Sequence, residues 1–372
     1  MSTYRCAAPC LFGLESLVAK ELEQMGAQEV NAQNGRVLFS GNANMVARAN
    51  IRLRCAERVE IVVGQFRAVT FQQLIDGSEQ IAWEQYLRED DAFPVAGWSR
   101  DSKLFSVPDC QAIIKKAAVN RMAKHYGIAR LPETGPKVQI RFSILKDEVT
   151  VLLDTSGVGL HKRGYRENST EAPIKETLAA GMAMLARLYD DSVVYDPFCG
   201  SGTLLIESAM LARNIAPGIR RAFSAERWGF LPREIWTEER MAAISEIKKG
   251  LAFRCVGSDI DPKAVELTLQ NAKKAGVADC FKVTQADIRD FCIATPRGVV
   301  LTNPPYGERL LDQAEAKQLT QLMGKVFVKD YGKRYLIISP DEEFETLFGR
   351  KADKRRKLYN GMIPCQLYLY YQ

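Results

Sequence analysis

The sequence predicts an α/β chain: a doubly wound, mostly parallel sheet in the carboxyl part, preceded by a smaller α+β region. Three observations carry this reading. Up to Gly157, runs of strand and helix period follow one another without strict alternation and close on a β-hairpin pattern. Beyond Thr155-Ser156-Gly157, strands and helices alternate, the grammar of βαβ units. At 372 residues the chain also exceeds what one hydrophobic core usually serves, so more than one domain is expected.

Element by element, Tyr4–Ala8 reads as a short strand and Leu14–Met25 as a helix with Leu14, Leu17, Val18, Leu22 and Met25 at helical spacing. Arg36–Phe39 is a strand, Ala43–Ala56 a helix, Arg58–Phe66 a strand and Phe71–Tyr86 a helix. Phe93-Pro94-Val95 starts another strand, and Ser106 opens a helix carrying Ile113, Ile114, Ala117, Ala118 and Met122. Lys137–Phe142 and Val149–Leu153 flank Lys146-Asp147 as a hairpin. In the second half, strands are expected at Val193–Tyr195, Cys255–Ser258, Phe281–Thr284, Gly298–Thr302, Tyr335–Ser339 and Cys365–Tyr370. Helices are expected at Leu204–Arg213 and Pro262–Ala275.

Composition narrows the class. With 47% hydrophobic and 26% charged residues the chain is an ordinary globular protein. No apolar run reaches membrane-spanning length, and charges enter the N-terminus too early for a secretory signal. The nine cysteines are scattered without a C-x-x-C pair, which speaks against a disulfide framework or a zinc ribbon. Two histidines, His125 and His161, leave little material for a metal site. The expectation is a cytoplasmic protein with no metal and no membrane partner. The net charge of +6 points weakly to a polyanion. Two basic clusters, His161-Lys162-Arg163 with Arg166, and Arg350-Lys351 through Lys354-Arg355-Arg356-Lys357, read either as solvated surface or as phosphate contacts.

A doubly wound sheet binds its ligand at the carboxyl ends of its strands, so those ends carry the functional reading. The first ends in Asp196-Pro197-Phe198-Cys199-Gly200-Ser201-Gly202-Thr203. Two glycines let backbone approach a ligand, and the helix that follows offers free N–H groups. Leu205 stands where a dinucleotide fingerprint needs its third glycine, and the Lys-Ser/Thr of a phosphate loop is absent. The second strand ends in Asp259-Ile260-Asp261, whose first carboxylate can accept from ribose hydroxyls; the third is followed by Asp287, which can accept from an adenine amine. Both acids read equally as helix caps. The fourth ends in Thr302-Asn303-Pro304-Pro305-Tyr306-Gly307. Its prolines stop the ladder, an Asn oxygen and the Pro304 carbonyl can accept from one NH₂ group, and Tyr306 offers a face for a base.

These two motifs together resemble the amino-methyltransferase branch of the class I S-adenosylmethionine-dependent enzymes, with their Rossmann-like sheet. The resemblance implies that Asp196, Phe198, Gly200 and Gly202 surround the methionine part of S-adenosyl-L-methionine, that Asp259 holds its ribose and Asp287 its adenine, and that Thr203 also binds the cofactor. Asn303, Pro304 and Tyr306 then hold the target base. The amino half resembles the THUMP module of RNA-modifying enzymes behind a ferredoxin-like segment, most clearly at Leu153–Gly157 and Leu160–Arg166, and the following Ala172-Pro173-Ile174-Lys175-Glu176-Thr177 resembles the family's entry to the catalytic domain. The implied layout is 1–55 ferredoxin-like, 56–157 THUMP and 165–372 catalytic, with Lys162, Arg163 and Arg166 as RNA contacts.

The full layout is similar to bacterial guanine-N2 methyltransferases of large-subunit ribosomal RNA. A transfer RNA guanine enzyme is the nearer rival. Adenine-N6, DNA and protein-amide methylation share the Asn-Pro-Pro-Tyr motif, and a non-catalytic RNA-binding or assembly protein is a further alternative. Compact versions of this fold lack residues 214–250, an insert with Arg220, Arg221, Phe223, Arg227, Trp228, Phe230, Arg233 and Trp236. Interleaved basic and aromatic residues suit either a grip on a flipped base or a helical cap on the sheet.

Overall fold

The computed structural model describes residues 3–166, 174–306 and 313–371. Its amino half runs β1 (Tyr4–Pro9), α1 (Glu15–Gln24), β2 (Gln28–Gln33), β3 (Arg36–Gly41), α2 (Ala43–Arg52), β4 (Glu60–Arg67), α3 (Phe71–Glu79), β5 (Val95–Arg100), α4 (Val107–Tyr126), β6 (Ile140–Leu145) and β7 (Glu148–Asp154). The strands form one sheet in the order β2-β3-β1-β4-β7-β6-β5. Pairing of Cys6 with Ile61 and Ala7 with Glu60 carries that sheet across position 55/56, so the chain shows no break in hydrogen bonding there.

Local chemistry explains most of these boundaries. Asn42 caps α2 by accepting from the Met45 amide at 3.0 Å, and Thr70 caps α3 through the Gln73 amide. The β6–β7 hairpin turns on Lys146 and Asp147 at φ 52° and 66°, the paired left-handed conformations that match strand twist. Two helices are shorter than their periodicity suggests. α2 stops at Arg52 because the buried Glu21 carboxylate takes the Arg54 and Cys55 amides. α3 stops at Glu79 because the buried Trp83 turns back and donates its indole N–H to the Ser78 carbonyl at 2.8 Å.

The second half contains α5 (Glu176–Leu185), β8 (Val193–Asp196), α6 (Thr203–Ala212), α7 (Glu234–Ser245), β9 (Arg254–Asp259), α8 (Pro262–Ala275), β10 (Phe281–Gln285), β11 (Gly298–Thr302), α9 (Gln313–Val326), β12 (Lys333–Ser339), α10 (Phe344–Phe348), β13 (Lys354–Asn360) and β14 (Ile363–Tyr371). The sheet order is β10-β9-β8-β11-β12-β14-β13, parallel from β10 to β12 and antiparallel at β14 and β13. Strand order reverses between β8 and β11, which opens a crevice at their carboxyl ends. One core cluster joins Leu205 and Ile206 of α6 and Ala272 of α8 to Leu14 and Val18 of the amino half. The opposite face packs Met323, Phe327 and Phe344 against Val300, Tyr335 and Ile337. The halves are thus fused through apolar packing; a Cβ on Gly181 of α5 would sit 2.6 Å from Leu14.

The insert resolves in favour of a cap. Phe223, Trp228 and Trp236 are 1–3% exposed, with Phe223 stacked on Trp236 at 5.4 Å. Trp228 donates to the Lys137 carbonyl of the amino half, and the Gly218 amide donates to Ile51. Arg48–Glu239 and Arg52–Glu246 pairs join α2 to α7 and to the end of that helix. Rings buried in this way have no face left for a base.

Candidate active site

The crevice between β8 and β11 is a cleft of about 810 Å³, within the range of ligand-sized pockets. Its floor is the turn after β8. Gly200 and Gly202 adopt φ 53° and 77°, conformations that favour glycine, and a Cβ on Gly202 would meet Thr268 at 2.7 Å. The turn is held from beneath by α8: Thr268 donates to the Gly200 carbonyl and Asn271 to the Ser201 carbonyl, each at 2.9 Å. Asp259 holds it from the side, accepting from the Gly200 amide at 2.9 Å and from the Asp261 amide at 3.0 Å. A carboxylate has about four acceptor sites, so Asp259 keeps capacity for hydroxyls in the cleft. Asp261, by contrast, is the cap of α8 through the Lys263 amide.

Asp196 lies at the end of β8, 2% exposed, accepting from Thr302 Oγ1 of β11 at 2.7 Å and from the Phe198 amide at 3.1 Å. Burial pushes its carboxyl up to about 7 against those two hydrogen bonds, with the Asp259 charge adding in the same direction. Asp287 lines the cleft but also caps the short turn Ile288–Asp290, and its side-chain and backbone bonds from Arg289 hold it down at about 2. Phe198 lines the cleft as well. Thr203, at the start of α6, does so too, yet its hydroxyl is already engaged by Arg166 and Ser201, both at 3.0 Å.

Across the floor stands the turn after β11. Asn303, Pro304, Pro305 and Tyr306 all line the cleft, facing Leu319 and Leu322 of α9. The Asn303 Oδ1 is buried and has no hydrogen-bond partner among the described residues. A buried acceptor left alone costs about 1–3 kcal/mol, so it calls for a donor from a bound molecule. Tyr306 is braced from behind, its hydroxyl accepting from Asn360 Nδ2 of β13 at 3.0 Å. Gly307, Ala172 and Pro173 lie outside the described residues.

The first basic cluster requires a correction. Lys162 is exposed, but Arg163 is 5% exposed and points inward. It donates to the Leu160 and Arg54 carbonyls and pairs with the fully buried Glu207, which Tyr165 also contacts. Arg166 bonds Glu176, Thr203 and the Ile174 carbonyl. The expectation that these two arginines touch phosphate fails because their donors already bind the seam between the halves. Thr302, Thr268, Asn271 and Asn360, which set the site's shape, escaped sequence reasoning: each acts on a partner 54–106 residues away.

A two-glycine cradle, a cleft-facing carboxylate and an unpartnered amide oxygen fit an adenosyl cofactor with a nitrogenous acceptor. Among the described residues, no group of three or more His, Cys, Asp or Glu side chains could hold a metal, and no helix is long and apolar enough to cross a membrane.

Comparison with known proteins agrees with the geometry. The family described as "RMKL-like, methyltransferase domain" matches residues 163–368, the "RlmL ferredoxin-like domain" residues 5–60 and the "THUMP domain" residues 68–154. The "Putative RNA methyltransferase YpsC" of Bacillus subtilis is 40% identical over the whole chain and 97% of its own length. The "Ribosomal RNA large subunit methyltransferase K/L" of Shewanella frigidimarina is 31% identical over the whole chain, which spans only 53% of that relative. Among solved structures, SMU.472 complexed with SAH superposes at TM-score 0.94 with 41% identity, covering 100% of this chain and 98% of its own. A protein from Listeria monocytogenes described as "a predicted N6-adenine-specific DNA methylase" gives 0.93 with 44% identity, covering 100% and 97%. With its cradle, its cofactor S-adenosylmethionine and a match over more than half its length, the chain belongs to the RMKL-like methyltransferase family and carries ferredoxin-like and THUMP domains before the catalytic one.

Proposed function

We propose that this protein methylates the exocyclic N2 amine of a guanine in RNA, with large-subunit ribosomal RNA as substrate. The observation that carries the reading is the buried, unpartnered Asn303 Oδ1 beside Pro304 and Tyr306, across the cleft from the glycine cradle. Asp196, Phe198, Gly200 and Gly202 hold the methionine part of the cofactor, Asp259 the ribose and Asp287 the adenine. When bound, the cofactor supplies an electrophilic methyl on a sulfonium and leaves as a neutral thioether. The chain's own part is to position the acceptor. Asn303 Oδ1 and the Pro304 carbonyl accept the two N2 hydrogens, which aims the nitrogen lone pair at the methyl carbon, and Tyr306 stacks on the flipped base. As the N–C bond forms, the amine gains positive charge that the two oxygens stabilise, and a proton leaves to water.

The THUMP domain and the names of YpsC and the K/L relatives support RNA; the K/L name supports the large subunit. The name of the Listeria protein favours adenine as a second reading, since Asn303 would accept equally from an N6 amine. The test is transfer of labelled methyl from S-adenosylmethionine to total nucleic acid and protein of a strain lacking this protein. Label is expected in large-subunit RNA. Label confined to DNA or protein would overturn the proposal, and label in small RNA would move it to transfer RNA.

Asp196 adds a pH dependence. Its carboxyl, raised from 3.8 to about 7, is neutral in the free protein below 7; its contribution to the fold is full below 3.8, shrinks as pH rises and is gone above about 7. Beside a cofactor ammonium the ionised form is needed, so binding releases a proton at pH 6. Affinity for S-adenosylhomocysteine should therefore fall about fivefold between pH 7 and pH 6, and Asp196→Asn should flatten that dependence. Calorimetric titration in buffers of different ionisation heat reads both; constant affinity across this range in the wild type would count against Asp196 at the ammonium.

A further inference from the structure

The most exposed large apolar side chain among the described residues is Met362, at 92%. It sits on the tight turn Asn360-Gly361-Met362-Ile363 between β13 and β14, with Gly361 at φ 67°. Asn360, at the base of that turn, is the residue that braces Tyr306 at the cleft. Two residues of chain span at most about 7 Å, so Met362 stands on the hairpin whose base braces the Tyr306 wall of the cleft.

The arm that carries it is firmly built. β13 pairs along its whole length with β14. Arg356 donates to the Gly13 carbonyl and to Ser16 Oγ, and Tyr359 packs on Phe12 with ring centroids 5.8 Å apart. The exposed cation Lys357 stands on the same strand, three residues before Asn360 and 5.7 Å from the centre of the Tyr359 ring, whereas Lys354 falls on the alternate face. An exposed methionine on a braced hairpin, with one exposed lysine behind it, has the form of an apolar wedge with a phosphate contact.

Extruding a base leaves a gap in the stack and loses a few kcal/mol of stacking and pairing. A polarizable, unbranched thioether fills an irregular gap well. We infer that Met362 is the positioning residue that enters the stack vacated by the flipped base, while Lys357 contacts an adjoining phosphate. This rests on the reading of the chain as an RNA base methyltransferase.

The test uses the full protein, the in-vitro transcript of 23S ribosomal RNA, and a short single-stranded fragment of it carrying the base that the wild type methylates. Met362→Ala should lower kcat on the folded transcript about tenfold, leave kcat on the single-stranded fragment within twofold, and leave cofactor affinity unchanged. Met362→Leu should recover most of the loss. With 2-aminopurine placed beside the target base in a refolded segment, the fluorescence change on binding should shrink in Met362→Ala. Equal kcat for Met362→Ala and wild type on the folded transcript, or an equal loss on both RNAs, would overturn the wedge. No transfer by the wild type to either RNA would overturn both this and the reading beneath it, and so is distinguishable from failure of the wedge alone.

Discussion

Replacing Asn303 with alanine is expected to lower methyl transfer at least ~100-fold while leaving S-adenosylhomocysteine affinity within about twofold. The amide oxygen is buried without a partner among the described residues, so its removal relieves an unsatisfied acceptor and does not damage the fold. What is lost is orientation: an acceptor amine displaced by about 1 Å forfeits on the order of 100-fold in rate. The expected signature is a fall in kcat measured in single turnover, with the melting temperature equal to or above that of the wild type. Loss of cofactor binding in Asn303→Ala would place the amide in the cofactor pocket instead.

Arg163→Ala is expected to destabilise the protein by about 3–5 kcal/mol, the usual consequence of stripping one partner from a buried ion pair. Arg163 and Glu207 are 5% and 0% exposed, and the same guanidinium ties the Arg54 and Leu160 carbonyls, so the substitution leaves a buried carboxylate and two carbonyls short of donors. Urea unfolding measures it. Lys162→Ala, one residue away and exposed, should leave the midpoint unchanged and weaken RNA binding. An Arg163→Ala protein as stable as the wild type but unable to bind RNA would restore the phosphate role that the buried geometry removes.

Arg163 shows where sequence reading stops. His161-Lys162-Arg163 looks like a surface cluster because local sequence cannot reveal Glu207, 44 positions later, waiting inside the fold. The insert posed the same difficulty. Alternating arginine and aromatic residues suit a nucleobase or a core, and only packing shows Trp228 against Lys137 and Phe223 against Trp236. Several elements carried no usable period. β2 is a polar edge strand, largely exposed, and α5 is buried on nearly every side, so neither alternates. β13 read as a charge run because its lysines face solvent at the sheet edge, where cations guard against further pairing.

The strand ends were legible for a physical reason. A Gly-rich turn between an apolar run and a helix, and an Asn-Pro-Pro turn after another, are local backbone requirements written in consecutive residues. The alternation after Gly157 revealed the parallel sheet, and the structure brings both turns to one cleft as that topology demands. The supports of those turns come from α8, β11 and β13, and pairings of such separation become visible only in three dimensions.

The most direct test of the account is the identity of the methylated nucleoside. Large-subunit RNA methylated by the purified protein with labelled S-adenosylmethionine is digested to nucleosides and resolved by mass spectrometry. The account predicts one labelled product, N2-methylguanosine, absent when Asn303→Ala replaces the wild type. Label on N6-methyladenosine, on a ring carbon or on a ribose hydroxyl would contradict the assignment of the Asn303–Tyr306 turn to a guanine amine.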